Sequence, residues 1–159
     1  FYLETFSKKH KKNLRYDLEK IRSLGIEVRK NRMEDFDLLS SFNKERFGAE
    51  SDFIDKHYLQ SMRSIMRLAH DKGWLDLISI HTAGKTEGVG FGIHFGSTYY
   101  VFNTGRNVAI SNLGKYLIAE HIKSAIEKKC KEIDFLASEA PWKILWNLET
   151  KETFEFIKH

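Results

Sequence analysis

The chain has 159 residues, 42% hydrophobic and 13% aromatic, which is the length of one domain with enough apolar side chains for a core. No apolar run is long enough to span a bilayer, and a single cysteine, Cys130, excludes an internal disulfide framework and a cysteine-rich metal site. The net charge of +4 sits at one end: residues 1–30 hold nine Lys/Arg against four Asp/Glu, the other 129 hold 17 against 18, so basicity is not the mark of a nucleic-acid surface over the whole fold.

In chain order, "SKKHKKNLRYDLEKIRSLG" is expected to be a helix. Leu14, Leu18, Ile21 and Leu24 recur on one face, Ser7 caps it and Gly25 ends it. Lys8, Lys9, Lys11 and Lys12 crowd its first turns, where cations oppose the helix dipole. They are either a solvated, frayed start or an anion site. "IEVRK" (Ile26–Lys30) is a short strand. "MEDFDLLSSFNKERFG" is a helix with Phe36, Leu39, Phe42 and Arg46/Phe47 on its period. "SDFIDKHYLQSMRSIMRLAHDKG" is another, with Ile54, Tyr58, Met62, Ile65, Met66 and Ala69 inward, Asp52 as its cap and Gly73 as its end.

Three antiparallel strands follow, Trp74–His81, Val89–Phe95 and Thr98–Asn103, with turns at "AGKTEG" and "GST". The middle strand alternates. Val89, Phe91, Ile93 and Phe95 point one way; Gly88, Gly90, Gly92 and His94 point the other. A glycine face admits something close to the sheet, a packed helix or a ligand. Next, "VFNTGRNVAISNLGKYLIAEHIKSAIEKK" (Val101–Lys129) passes from strand through a polar loop into a helix capped by Ser111. That helix turns Leu113, Leu117, Ile118, His121, Ile122, Ala125 and Ile126 inward. Glu132–Ala137 is a strand, "APWKILWNLET" a short helix with Pro141 in its first turn, and "TFEFI" a last strand. Strands joined first by hairpins and then by helical crossovers make a mixed α/β sheet with helices on both faces. One domain spanning 1–159 is expected.

No P-loop, no G-x-G-x-x-G after a strand, no H-x-x-x-H and no G-x-S-x-G elbow occurs. The seven histidines are scattered, and no metal is expected. What remains is the strand–loop–helix at 101–114, where Gly105, Arg106, Asn112 and Gly114 could bring backbone donors and a guanidinium to a phosphate. An ordinary strand-to-helix connection has the same look.

The order β-α-α-β-β-β-α-β-α-β resembles the GNAT acyltransferase fold, a central, mostly antiparallel, splayed sheet flanked by helices. Two stretches, "FSKKHKKNLRYDLEKIRSLGIEV" and "TYYVFNTGRNVAISNLGKYLIAEHIKSAIEKKCKEIDFLASEAPWKILW", resemble the branch with the CelD/BcsL-like acetyltransferases and their FemAB-like relatives. The resemblance implies an acyl-CoA (acetyl-CoA or another) lying between splayed strands at Thr98–Asn103 and Glu132–Ala137. Its pyrophosphate would rest at Ser111–Gly114, with Asn103, Gly105, Arg106, Ser111, Asn112, Leu113, Gly114 and Lys115 as the cofactor-binding set. The family's "DF" corresponds to Asp134 and Phe135, its "YK" to Trp142 and Lys143, and its following Trp to Trp146. Departures are "SNLG", with Leu113 where the branch has proline, and "SEAPWK", which lacks the glycine before "YK".

Acyl transfer to an amine requires a held thioester, an oxyanion donor and a route for the amine proton. His94, Tyr99 or Tyr100, Asp134 and Lys143 are the candidates. Their structural alternatives are a half-buried histidine, sheet-surface aromatics and an Asp134–Lys143 ion pair. The expected acceptor is a small-molecule amine, such as an amino sugar of an envelope polysaccharide. Rival readings are an aminoacyl-tRNA-dependent transferase whose residues 8–12 and Arg15 contact tRNA, and a non-catalytic binding module. The chain starts at Phe1 and reads as the C-terminal half of a longer protein. An upstream half-domain or a second copy is its expected protein partner, and the reducing cytoplasm its expected compartment.

Overall fold

A computed structural model of the protein describes residues 2–136 and 141–150, together with 152, 154 and 157. Five strands form one sheet in the order β1-β2-β3-β4-β5: Glu27–Lys30, Leu75–Thr82, Lys85–Phe95, Thr98–Arg106 and Glu132–Asp134. Neighbours are antiparallel except β4 and β5, which run parallel. The helices are α1 (Lys8–Arg22), α2 (Asp35–Phe47), α3 (Lys56–Asp71), α4 (Leu113–Glu127) and α5 (Pro141–Ile144). This is the expected mixed α/β architecture. The strand expected to reach Ala137 ends instead at Asp134: Leu136 turns into the left-handed region (φ 56) and its N–H is taken by the Asp134 carboxylate, so the chain leaves the ladder. The expected strand over 153–157 falls largely outside the described residues.

Each face of the sheet builds its own core. On one, Phe36 and Leu39 of α2, Met62, Met66 and Ala69 of α3 and the Phe53 ring cover Leu75, Leu77, Val89, Phe91 and Ile93. On the other, Leu14, Leu18 and Ile21 of α1 and Leu113, Tyr116 and Leu117 of α4 meet Ile78, Ile80 and Trp146. Alternation along β2 and β3 sends successive side chains to opposite layers, and both layers are apolar because both faces are covered.

The structure corrects several boundaries. Ala83 (φ 46) and Gly84 (φ 79) alone make the β2–β3 turn; two left-handed residues match the strand twist, so β3 begins at Lys85 and not at Val89. The cap of α3 is Asp55, which accepts from the backbone N–H of His57 (2.7 Å) and Tyr58 (3.3 Å); Asp52 opens a short 3-10 turn instead. In α2 the buried stripe includes Asp35, Ser40 and Asn43, while Phe47 is exposed. Those polar side chains have partners: Ser79 Oγ donates to Asp35 (2.5 Å) and Ser51 Oγ to Asn43 (2.7 Å), which lets them occupy core positions. Leu24 and Ile126 are exposed, Leu24 because α1 already stops at Arg22.

Candidate functional site

The ladder between β3 and β4 slips at one point. Phe91 lies opposite Asn103 and Gly92 opposite Val101, so Phe102 is an extra residue in β4. Such a bulge bends and twists its strand. The Phe102 ring stacks on Phe91 with centroids 5.2 Å apart, which anchors the bend. On the other side of β4, pairing with β5 covers only Thr98–Glu132, Tyr99–Ile133 and Tyr100–Asp134. β4 then runs on to Arg106 with no strand beside it among the described residues. The sheet opens there.

The open side ends at the start of α4. Asn112, in the left-handed region (φ 63), turns the chain into Leu113. The Leu113 side chain is buried in the core against Gly88, so it adds no bulk on the outside of the helix start. Arg106, the last residue of β4, lies over Gly114. A Cβ at Gly114 would stand 3.0 Å from Arg106 Nε. The half-buried guanidinium makes no ion pair among the described residues. Burial, then the neighbouring Arg46 charge, lowers its pKa from the usual arginine value. An unpaired guanidinium beside a helix N-terminus attracts an anion.

Other members of the expected set are placed differently. Asn112 Nδ2 (3.2 Å) and Lys115 Nζ (2.5 Å) both donate to the Asp17 carboxylate of α1, so they stitch α1 to α4. Ser111 is exposed in the preceding turn and leaves the capping position to Asn112. Gly105 is a strand residue whose missing side chain admits the Leu39 carbonyl of α2, a packing role and not loop geometry. Asn103 accepts from the Tyr58 hydroxyl at 3.4 Å, on the α3 side of the sheet.

Of the expected catalytic residues, Tyr100 and Asp134 are register partners where β4 and β5 separate. Asp134 Oδ1 accepts from Leu136 N–H (2.7 Å), and Lys143 Nζ donates to the Leu136 carbonyl (2.7 Å). The two grip one backbone unit from both sides, and the Asp134–Lys143 ion pair does not form. Phe135 and Trp142 meet edge to face at 5.4 Å. His94 pairs in register with Tyr99, beside the β3–β4 turn. It stands on the α4 face, whereas Tyr100, opposite Ile93, stands on the other. Burial, then the Lys128 charge, pushes its pKa down.

The glycine face of β3 holds what the sequence did not reveal. Gly92 leaves room for the Tyr99 ring and Gly90 for the His121 ring. Tyr99 Oη donates to Asp76 Oδ2 (2.7 Å) and contacts His121 Nδ1 at 2.8 Å. With that phenol proton committed to Asp76, His121 donates from Nδ1, and its Nε2 is a bare lone pair without a partner among the described residues. Lys30 Nζ closes the cluster, 3.6 Å from Asp76 and 2.6 Å from Ser124 Oγ. Burial, then Asp76, raises the Tyr99 pKa. Burial pushes His121 down to about 4. The glycines at alternate positions were the available signal; the aspartate and tyrosine came from other strands.

The profile of the Acetyltransferase (GNAT) domain matches residues 8–144. The chain belongs to this acetyltransferase family. Solved structures share the GNAT fold at low identity. The aminoglycoside N-acetyltransferase AAC(6')-Iy, in complex with a CoA-based bisubstrate analogue, aligns with a TM-score of 0.59 and 12% identity over 84% of this chain and 98% of that one. A predicted acetyltransferase from Clostridium acetobutylicum, solved with acetyl-CoA, gives 0.58 and 15% over 84% and 95%. Glucosamine-6-phosphate N-acetyltransferase from Arabidopsis thaliana gives 0.55 and 12% over 84% and 97%. No curated protein matches the chain by sequence. Among the described residues of this GNAT domain, no helix is long and apolar enough to cross a membrane.

Proposed function

We propose that this GNAT domain transfers an acyl group from acyl-CoA to a small-molecule amine. The observation that carries the reading is the opening of β4 from β5 beyond Tyr100, which leads directly to Arg106 over the first turn of α4. The pyrophosphate rests against Arg106 and the N–H groups of that turn. The pantetheine arm follows the unpaired edge of β4, and the thioester lies near the bulge at Phe102, where backbone N–H groups stabilise the oxyanion. The amine nitrogen attacks the thioester carbonyl carbon; the C–N bond forms, the C–S bond breaks and CoA leaves as the thiol. Asp134, at the point of separation, receives the amine proton, directly or through water, and the neighbouring Tyr100 hydroxyl gives a proton to the departing sulfur, the two being reset through solvent. Lys143 holds the turn that carries Asp134. Within the family we place the chain with the CelD/BcsL-like, FemAB-related branch. Its acceptor class is then an amino sugar of an envelope polysaccharide, handled in the cytoplasm, with an upstream half-domain or a second copy completing the site.

Titration calorimetry with acetyl-CoA, longer acyl-CoAs and CoA tests this. No heat of binding at millimolar ligand ends the acyl-CoA reading. Where binding is seen, Arg106→Ala is expected to weaken it by roughly 10- to 100-fold, the size of a lost hydrogen bond to a charged group. An unchanged affinity would remove Arg106 from the site.

A further inference from the structure

Beside the first turn of α4, a cleft of about 440 Å³ opens between α1, α4 and the turn after α5. The buried Trp146 lies at its wall, and Tyr16, Lys9, His10, Asp17 and Lys115 line the rest. Its size suits a nucleotide and is too small for a whole acyl-CoA. Tyr16 is 68% exposed and meets no other ring among the described residues, so its face is free to take a base. Asp17 would repel a phosphate, but Lys115 and Asn112 neutralise and hold it. Lys9 is exposed and makes no ion pair among the described residues, and the first turn of α1 carries no acid. The wall therefore has a free cation for an anionic group.

We infer that this cleft binds the adenosine 3′-phosphate end of the acyl donor, with Tyr16 stacking on the adenine and Lys9 and His10 facing the 3′-phosphate. The inference rests on the acyl-CoA reading above. Its geometric link is Lys115, next in sequence to Gly114, which borders both the proposed pyrophosphate position and the cleft. With the pantetheine arm leaving along β4, the nucleotide must leave the other way, and the cleft lies there. Lys9, unfavourable at the start of α1 for the helix itself, then has a ligand.

The test uses wild type, Lys9→Glu and Tyr16→Ala, both at exposed positions, titrated with acetyl-CoA, acetyl-3′-dephospho-CoA, S-acetyl-4′-phosphopantetheine and adenosine 3′,5′-bisphosphate. Each variant is expected to weaken acetyl-CoA roughly tenfold, as loss of a charged contact or of a stacking face does. S-acetyl-4′-phosphopantetheine, which lacks the nucleotide, should bind all three proteins equally. The Lys9→Glu penalty should shrink with the dephospho donor. Variants that bind acetyl-CoA as wild type does overturn the cleft and leave the acyl-CoA reading intact. If neither acetyl-CoA nor the phosphopantetheine binds, that reading fails. The bisphosphate then decides the cleft: binding weakened by Lys9→Glu keeps it, and no binding removes it.

Discussion

Gly90→Ala is expected to cost this domain about 3 kcal/mol, the upper range for forcing a methyl into a packed core, and to lower its thermal midpoint by about 10 °C. The new Cβ would fall well under 3.0 Å from the His121 ring at Nε2. The ring cannot retreat cheaply, because it is fully buried and its Nδ1 is held by Tyr99, which is held in turn by Asp76. Moving it breaks a buried polar chain, and unmade buried hydrogen bonds are expensive. The double mutant separates this cause from a general dislike of alanine in β3. In a His121→Ala background the methyl has space, so Gly90→Ala should cost much less there than in wild type. Equal costs in the two backgrounds, measured by thermal or denaturant unfolding, would show that the ring is not the obstacle.

Acidification is expected to weaken the fold through the same histidine. The unfolded ring titrates near 6.5, while burial holds the folded one down to about 4. The folded state therefore keeps His121 neutral where the unfolded state is already protonated. Stability from this group is complete above pH 6.5 and is lost as the pH falls towards 4, by about 3 kcal/mol in total. Burial also lowers the pKa of His81 and His94, and they add in the same direction. The charges facing the ring are Asp76, which favours protonation, and Lys30, which opposes it. His121→Leu is less stable at neutral pH, because Tyr99 loses a partner, but its unfolding free energy should fall less steeply between pH 6.5 and 4. Identical slopes for variant and wild type would assign the acid sensitivity to other groups.

The readable parts of the sequence were those governed by local periodicity. Leu14, Leu18 and Ile21 announced α1, Met62, Met66 and Ala69 announced α3, and the alternation of β3 stated which of its residues share a face. Periodicity failed where a polar residue occupies a core position because its partner lies far along the chain. Asp35 is buried because Ser79 meets it, 44 residues away. It failed also at the end of β4. Thr104, Gly105 and Arg106 look like a turn, and only the opposing Gly88–Gly90 makes them a strand.

The candidate site divides along the same line. Arg106, Gly114 and the strand-to-helix passage were legible because a helix start has local signals, and Tyr100 and Asp134 because each sits on its own readable strand. That Asn112 and Lys115 serve Asp17 was not legible, since α1 is about 95 residues earlier. The glycines of β3 were ambiguous between a ligand and a packed helix, and His121 settles Gly90 while Tyr99 settles Gly92. The sequence by itself determined the mixed α/β class, most of its helices and strands and the strand-to-helix passage that carries the phosphate reading, because each follows from neighbours within a few turns or strand residues. Only the tertiary structure decided the bulge at Phe102, the guanidinium over Gly114, the α1 cleft and the buried Asp76–Tyr99–His121 chain. Each of those depends on a strand register or a helix docking that brings distant residues within hydrogen-bonding reach, and no local pattern encodes such a distance.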